Sequence, residues 1–256
     1  MEIQNIDQLS IIIPVYNGAQ YLRATCDELQ AAYLGRDVEI IFVNDGSKDE
    51  TESLLNTLIQ EYIGALPGLQ LVSYSDNKGK GYAVQQGVKR LSPGRQFIAF
   101  TDIELPYGLP KIDEAVDILV SQPTIGMVIG DRTQADEGKK QYARKRNLMR
   151  LAFRLTIPTS IRFIHDTQSG LKVFRRDVLS LLFSRVKTSR WVFDIELFLI
   201  AVHHGIGIHQ LPVTIKPSCL TRGGVLIIAH TRQIVKDIFR IYWYELRGAY
   251  KKDSTT

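Results

Sequence analysis

Five short apolar runs between residues 9 and 129 each stop at a polar or glycine-bearing turn, and a helical pattern follows each one. The runs are Leu9–Val15, 38–43, Leu69–Tyr74, 96–101 and 125–129, rich in Ile and Val. The helical patterns cover 19–33, the stretch after Ser47, the stretch that follows Asn77-Lys-Gly-Lys-Gly81 to about Arg90, 109–120 and 141–156. Strand–helix alternation predicts a mostly parallel sheet with helices on both faces, because parallel neighbours need crossover connections and those crossovers cover the sheet. Ser47-Lys48-Asp49-Glu50 has the spacing of a helix N-cap with its reciprocal glutamate. Further helical patterns follow at 176–184 and 191–204, with another strand at 206–213. The 191–204 helix reads as amphipathic and carries Asp194 and Glu196 beside Trp191 and Phe193.

The chain has 256 residues, enough for one large domain with a sizeable core. The division expected is a domain over 1–220 and a helix with its tail over 221–256 that is not an independent domain. A net charge of +5 points to anionic partners such as phosphates, nucleic acid or membrane lipid. Cys26 and Cys219 stand far apart in no metal-type spacing, which is simplest for a reduced, cytoplasmic setting. The first residues lack a basic leader segment, and no run reaches the roughly 18 apolar residues of a spanning helix.

Chemistry gathers at the strand ends. Asp102 and Glu104 stand one residue apart just after the fourth run, before Pro106 and Gly108. Two acids so placed can turn toward one Mg²⁺ or Mn²⁺ ion, since hard cations take one or two carboxylates together with substrate phosphates. Strand ends of open α/β sheets are where ligands bind. Asp45 can accept from a base or a ribose hydroxyl. Gly79 and Gly81 permit close backbone approach, and Lys78 and Lys80 offer charge to a diphosphate. The chain lacks Gly-x-Gly-x-x-Gly after its first strand and lacks Gly-x-x-x-x-Gly-Lys-Ser/Thr, which argues against a dinucleotide dehydrogenase and a phosphate-loop NTPase.

Taken in order, Ile11-Ile-Ile-Pro-Val-Tyr-Asn17, Val43-Asn-Asp-Gly-Ser47, Asn77-Lys-Gly-Lys-Gly81 and Thr101-Asp-Ile-Glu-Leu-Pro-Tyr107 resemble inverting family 2 glycosyltransferases with the GT-A fold. Gly130-Asp-Arg132, Asp166-Thr-Gln-Ser-Gly-Leu-Lys172 and Arg190-Trp-Val-Phe-Asp-Ile-Glu-Leu197 resemble the polyprenyl-phosphate branch, similar to dolichyl-phosphate mannose and glucose synthases. The resemblance implies a nucleotide diphosphate sugar as donor and a polyprenyl phosphate as acceptor. It implies that Pro14, Tyr16 and Asp45 hold the nucleoside and that Asp102 and Glu104 hold the metal, with Asn17, Lys80 and Gly81 also expected to bind substrate. Glu104 stands where the family usually has a second Asp, and Gly18 where the branch often has Glu.

An acceptor phosphate is already an anion near neutral pH, so it needs cationic placement more than a base. Arg132 and either Arg144 or Arg146 match the family's phosphate-holding arginines, and guanidinium suits phosphate. Arg146, Arg150 and Arg154 also repeat every four residues, as a solvated basic helix face would. Asp166 either orients the acceptor or acts as a base. Gln168 would bind the sugar or the metal shell, and Asp194 either the sugar or its own scaffold. The five histidines form no ligand spacing.

After Thr221-Arg-Gly-Gly224 a last helix begins. At about 100° per residue its Arg232, Lys236, Arg240 and Arg247 fall within an arc of roughly 80°, and Ile227, Ile234, Val235, Ile238, Ile241 and Tyr242 cover the other side. Two readings stay open: an interfacial helix, or one packed on the domain or a second copy. The first gives a peripheral protein on the cytoplasmic face of a membrane, reaching the membrane surface itself or through a membrane-protein partner. The expected activity is inverting transfer of a hexose to a polyprenyl phosphate. The alternatives are transfer to a sugar hydroxyl of a glycan or glycolipid, which needs a true base, and a non-catalytic nucleotide-sugar-binding module. No nucleic-acid-binding motif is present.

Overall fold

A computed structural model describes residues 8–133, 158–190, 192–219 and 225–251, with side chains from 233 onward in the last stretch. Its strands are β1 (Leu9–Val15), β2 (Glu39–Asp45), β3 (Leu69–Tyr74), β4 (Phe97–Phe100), β5 (Ile125–Asp131), β6 (Lys172–Arg175) and β7 (Gly207–Pro212). The helices are α1 (Ala19–Tyr33), α2 (Thr51–Tyr62), α3 (Lys80–Arg90), α4 (Pro110–Ser121), α5 (Arg176–Arg185), α6 (Phe193–His203) and α7 (Val225–Leu246). One sheet runs in the order β3-β2-β1-β4-β6-β5-β7.

Strand alternation builds two cores. Ile11, Ile13 and Val15 point to one face, where Leu22 and Leu29 of α1, Leu55 and Leu58 of α2, and Val116 and Leu119 of α4 cover them. Ile12 points to the other, against Val84 of α3, Leu179 of α5 and Leu199 of α6. Successive side chains of a strand face opposite ways, so a strand covered on both faces reads as continuously apolar.

β6 has no counterpart among the apolar runs. Its four residues begin at Lys172 and end at Arg175, and it pairs antiparallel with both β4 and β5. Phe100 therefore stands opposite Lys172, which delivers the turn before β6 to the mouth of β4. The N-cap expected at Ser47 does not form. α2 begins at Thr51 instead, and Asp49 Oδ1 accepts from the Thr51 backbone N–H at 3.1 Å and from its hydroxyl at 2.6 Å. The Ser47 hydroxyl is used elsewhere, accepting from the Asn17 N–H at 2.9 Å.

α6 is not amphipathic: every residue from Phe193 to Ala201 is buried, including Asp194 and Glu196. This stretch packs into the second core, so neither of its faces meets water, and only Val202 and His203 at its end are partly exposed. Glu196 is satisfied there by the N–H groups of Lys187 and Thr188, the Thr188 hydroxyl and the Tyr250 hydroxyl. α7 packs on this second core through Ile234, Ile238, Ile241 and Tyr244. Those isoleucines belong to the apolar side for which a membrane surface and packing on the domain were both open, and here they pack on the domain. Val235, Phe239, Trp243 and Leu246 remain exposed on α7. No helix among the described residues is long and apolar enough to cross a membrane. The helical pattern at 141–156 and the turn at 221–224 lie outside the described residues, as do Arg144, Arg146, Arg150, Arg154, Trp191 and the side chain of Arg232.

Candidate active site

β4 ends at Phe100, and the next residues fold into a turn closed by the Leu105 N–H donating to the Asp102 carbonyl at 2.9 Å. Leu105 adopts φ 46°, an uncommon conformation for a side-chain-bearing residue, and burial of its side chain holds it there. This turn carries Asp102 and Glu104 at the mouth of the sheet. Lys80, the first residue of α3, reaches across so that its ammonium lies 2.5 Å from Asp102 Oδ1. Burial works against ionisation of Asp102, but Lys80, Lys172 and Arg132 outweigh it and hold the carboxyl below its usual range. Burial, with some help from the Asp102 charge, pushes Glu104 up.

The turn before β6 closes on the same point. A Cβ on Gly170 would stand 2.0 Å from Asp102 Oδ2, so only glycine lets this turn meet the acid. At the head of the turn, Asp166 is buried and grips Arg132 by two bonds. Arg132 Nε donates at 2.5 Å and Nη2 at 2.7 Å, and the Arg132 backbone N–H adds a third at 3.2 Å. Burial alone would weaken the guanidinium's charge, yet pairing with Asp166 keeps it firmly protonated. Gln168 turns its amide toward the Thr167 carbonyl of its own turn.

Beneath the turn Asp194 meets Lys172, a partner to which sequence reading gave no role. The Lys172 ammonium is buried, donates to the Ser169 carbonyl at 2.6 Å and stands 3.1 Å from Asp194 Oδ1. That last approach is an ion pair off the hydrogen-bonding direction, and Asp194 Oδ1 makes no hydrogen bond. Burial lowers the Lys172 pKa and raises that of Asp194, since removal from water disfavours both charges. The one sequence sign of Lys172 was a charge opening a short apolar stretch after a glycine turn. Tyr107 was also passed over; its hydroxyl accepts from the Gly170 N–H at 3.4 Å. Lys216 and Cys219 reach the far side of the acidic turn. The Lys216 N–H donates to the Pro106 carbonyl, and Cys219 Sγ lies 3.8 Å from the Glu104 carbonyl.

The residues expected to meet the nucleoside form a second group. Asp45 is buried and fully engaged. Its Oδ1 accepts from Tyr74 Oη at 2.9 Å and the Lys78 N–H at 2.8 Å, and its Oδ2 from Asn77 Nδ2 at 3.0 Å and the Gly79 N–H at 2.9 Å. Asn17 braces the neighbouring loop, accepting from the Lys48 N–H at 2.8 Å. Pro14 pairs in register with Val43, and Tyr16 stands 51% exposed at the end of β1. Gly79 and Gly81 do allow close approach, but by the chain itself. A Cβ at Gly79 would meet the Arg190 side chain, one at Gly81 would meet Phe193, and the Tyr82 N–H donates to the Ser189 carbonyl at 2.8 Å. Lys78 lies over the rings of Tyr74 and Tyr82. Of the predicted residues, Lys80, Asp102, Arg132, Asp166 and Asp194 thus share one electrostatic cluster with Glu104 beside it.

The model of glycosyl transferase family 2 matches residues 10–183, and every strand mouth described above except that of β7 falls within that span. The chain belongs to glycosyl transferase family 2. It is a glycosyltransferase of the branch it resembled by motif. Similar proteins are a dolichyl-phosphate beta-glucosyltransferase of Trichomonas vaginalis, 28% identical over 95% of this chain and 75% of that protein, and the human dolichyl-phosphate beta-glucosyltransferase, 28% identical over 97% of this chain and 79% of that protein. Among solved structures, a glucosyl-3-phosphoglycerate synthase from Mycobacterium tuberculosis with Mg²⁺ and uridine diphosphate superposes with a TM-score of 0.66. Its identity is 16%, covering 99% of this chain and 85% of that one. A mannosyltransferase from Pyrobaculum calidifontis with GDP-mannose and Mn²⁺ gives 0.58 at 20% identity, covering 84% and 58%. These structural likenesses show the GT-A fold.

Among the described residues no three His, Cys, Asp or Glu side chains gather for a metal ion. The carboxylates expected from the sequence to hold a metal, Asp102 and Glu104, lie on one turn. That set fits a hard divalent cation whose other ligands are phosphate oxygens and water, and Asp102 keeps 38% of its side chain exposed.

Proposed function

We propose that the protein transfers glucose from a nucleoside diphosphate sugar to a dolichyl-type polyprenyl phosphate, with inversion at the anomeric carbon. The names of its relatives supply the sugar and the lipid. The Arg132–Asp166 pair is the observation that favours a phosphate acceptor over a hydroxyl one. A hydroxyl acceptor needs a free base, and Asp166, the residue with that option, has its carboxylate spanned by a guanidinium. A phosphate acceptor needs no base. It needs a placed cation, and Arg132 is that cation.

A phosphate oxygen of the lipid would attack the anomeric carbon from the face opposite the leaving group. The new carbon–oxygen bond forms as the bond to the nucleoside diphosphate breaks, and the electron pair leaves on the diphosphate. No proton has to move. Arg132 orients the incoming phosphate, and Asp166 holds the guanidinium in its plane until the phosphate arrives. Asp102 and Glu104 would hold Mg²⁺ or Mn²⁺, which supplies charge to offset that developing on the diphosphate. The Asp45-braced loop and Tyr16 present the nucleoside.

The acceptor sits in a bilayer, and α7 offers the contact. Its exposed Val235, Phe239 and Trp243 run beside Lys236 and Arg240, and the Arg247 guanidinium lies 3.8 Å above the Trp243 ring. Apolar and aromatic groups flanked by cations suit a peripheral position on an anionic membrane surface at the cytoplasmic face.

The test is to incubate the protein with Mn²⁺, a panel of nucleotide sugars and polyprenyl phosphate, then weigh the lipid. A lipid gaining one hexose from a glucose donor is expected. Transfer only to a glycan hydroxyl overturns the acceptor, and binding without turnover across every donor overturns the reaction.

A further inference from the structure

We propose that Lys80 stands in for the divalent cation on Asp102 while the donor is absent and yields that place only to a diphosphate, so that metal and donor bind as a coupled pair. The inference rests on the metal role of Asp102 given above. Its first support is contact: the ammonium is 2.5 Å from Asp102 Oδ1, so a second cation on that carboxylate competes with it for the same charge.

The second support is how Lys80 is mounted. Its backbone cannot follow a moving side chain. The Gly79 N–H is bonded to Asp45, the Tyr82 N–H to Ser189, and Gly81 abuts Phe193. The root of the side chain is rigid while its four-carbon stem can swing, so the ammonium can change partners without disturbing the fold.

The third support is that, among the described residues, no other acid matches Asp102 as a partner. Glu104 feels the Lys80 charge, but only as the weakest of the influences on it, and Asp194 is also in range, with an Oδ1 that has no hydrogen bond. But Lys172 already sits 3.1 Å from that atom and repels Lys80. Moving Lys80 there would bring two ammonium groups together on one carboxylate. An incoming diphosphate has no such competitor and brings fresh negative charge beside the rigid start of α3. Lys80 would therefore leave Asp102 as the diphosphate arrives, opening the carboxylate at the moment when phosphate oxygens can complete a metal's ligand set.

Mn²⁺ binding to the full-length protein reads this directly, followed by the loss of the free-ion paramagnetic signal. It is measured alone and with uridine or guanosine diphosphate, after correction for Mn²⁺ held by the free nucleotide. Wild type should bind Mn²⁺ weakly alone and more tightly with nucleotide. Lys80→Met and Lys80→Gln should bind Mn²⁺ alone about tenfold tighter or more, as expected on removing a competing unit charge at contact distance. In both, added nucleotide should then enhance metal binding less than in wild type. Lys80→Arg, which keeps the charge, should stay near wild type. If Met and Gln variants that still melt cooperatively bind Mn²⁺ no tighter, while Asp102→Asn weakens binding, the stand-in role is wrong and the metal site stands. If Asp102→Asn leaves Mn²⁺ binding unchanged, the metal role of Asp102 falls and the stand-in with it.

Discussion

The two halves of the sheet mouth are held by different forces. On the β1–β3 side the fixing groups are carboxylates bonded to backbone: Asp45 takes the N–H groups of Lys78 and Gly79, and Asp49 takes that of Thr51. On the β4–β6 side they are ion pairs between side chains: Lys80 with Asp102, Arg132 with Asp166, and Lys172 with Asp194. Backbone donors cannot leave, so the first half is a preformed cradle. Side-chain cations can exchange one anion for another, so the second half is self-neutralised until anionic substrates arrive. The proposed substrates, a diphosphate and a lipid phosphate, would suit a site built this way, because unpaired buried charges are costly.

The comparison breaks most easily at Asp102. Asp102→Ala should lower turnover by several kcal/mol, roughly a thousandfold or more, measured as glycosylated lipid formed with Mn²⁺. Full activity in the presence of a chelator would remove the metal from the exchangeable half.

Next in size is the pair at the acceptor. Arg132→Ala should cost about 1.5–3 kcal/mol of acceptor use, roughly 10–150-fold, with donor affinity little changed. Steady-state kinetics with each substrate varied separates the two. The double change Arg132→Met with Asp166→Leu should fold with near-normal stability, since replacing both partners of a buried pair is often neutral. An unchanged response to the lipid, with donor affinity lost instead, would move Arg132 to the donor side.

Asp45→Asn probes the other half and should behave in the opposite manner. An amide oxygen cannot serve four donors, and the backbone N–H groups of Lys78 and Gly79 cannot be removed with it. The chemical-denaturation midpoint should shift by about 1–3 kcal/mol of stability, and nucleotide should bind more weakly. A variant as stable as wild type would erase the distinction between cradle and exchangeable half.

The smallest effect lies on α7. Changing Lys236, Arg240 and Arg247 to Glu should abolish salt-sensitive binding to anionic vesicles, at roughly 1 kcal/mol per removed charge, with nucleotide binding intact. Vesicle binding equal to wild type would make this row a solvated face, and loss of cooperative folding would make α7 purely structural.

What the chain's order of residues determined was the alternation and its mouths. Apolar runs in strands buried on both sides are legible without a structure, because burial on two faces leaves no polar position to confuse the pattern. Leu9–Val15 was readable to the residue for that reason, and the acids of the fourth mouth followed from position alone. Tertiary structure decided the rest. β6 is four residues long between charges, and only its two antiparallel neighbours make it a strand; with it came the placement of Gly170 against Asp102 and of Lys172 under the turn. α6 looked amphipathic because two acids break its apolar sequence, yet both acids find partners inside: Lys172 for Asp194, and for Glu196 the N–H groups of Lys187 and Thr188 with the Tyr250 hydroxyl. Which partner a charged side chain holds depends on groups dozens of residues away. Local pattern cannot show that Lys80 faces Asp102 or that Asp166 faces Arg132, because periodicity records which side of an element is buried and not what stands opposite it.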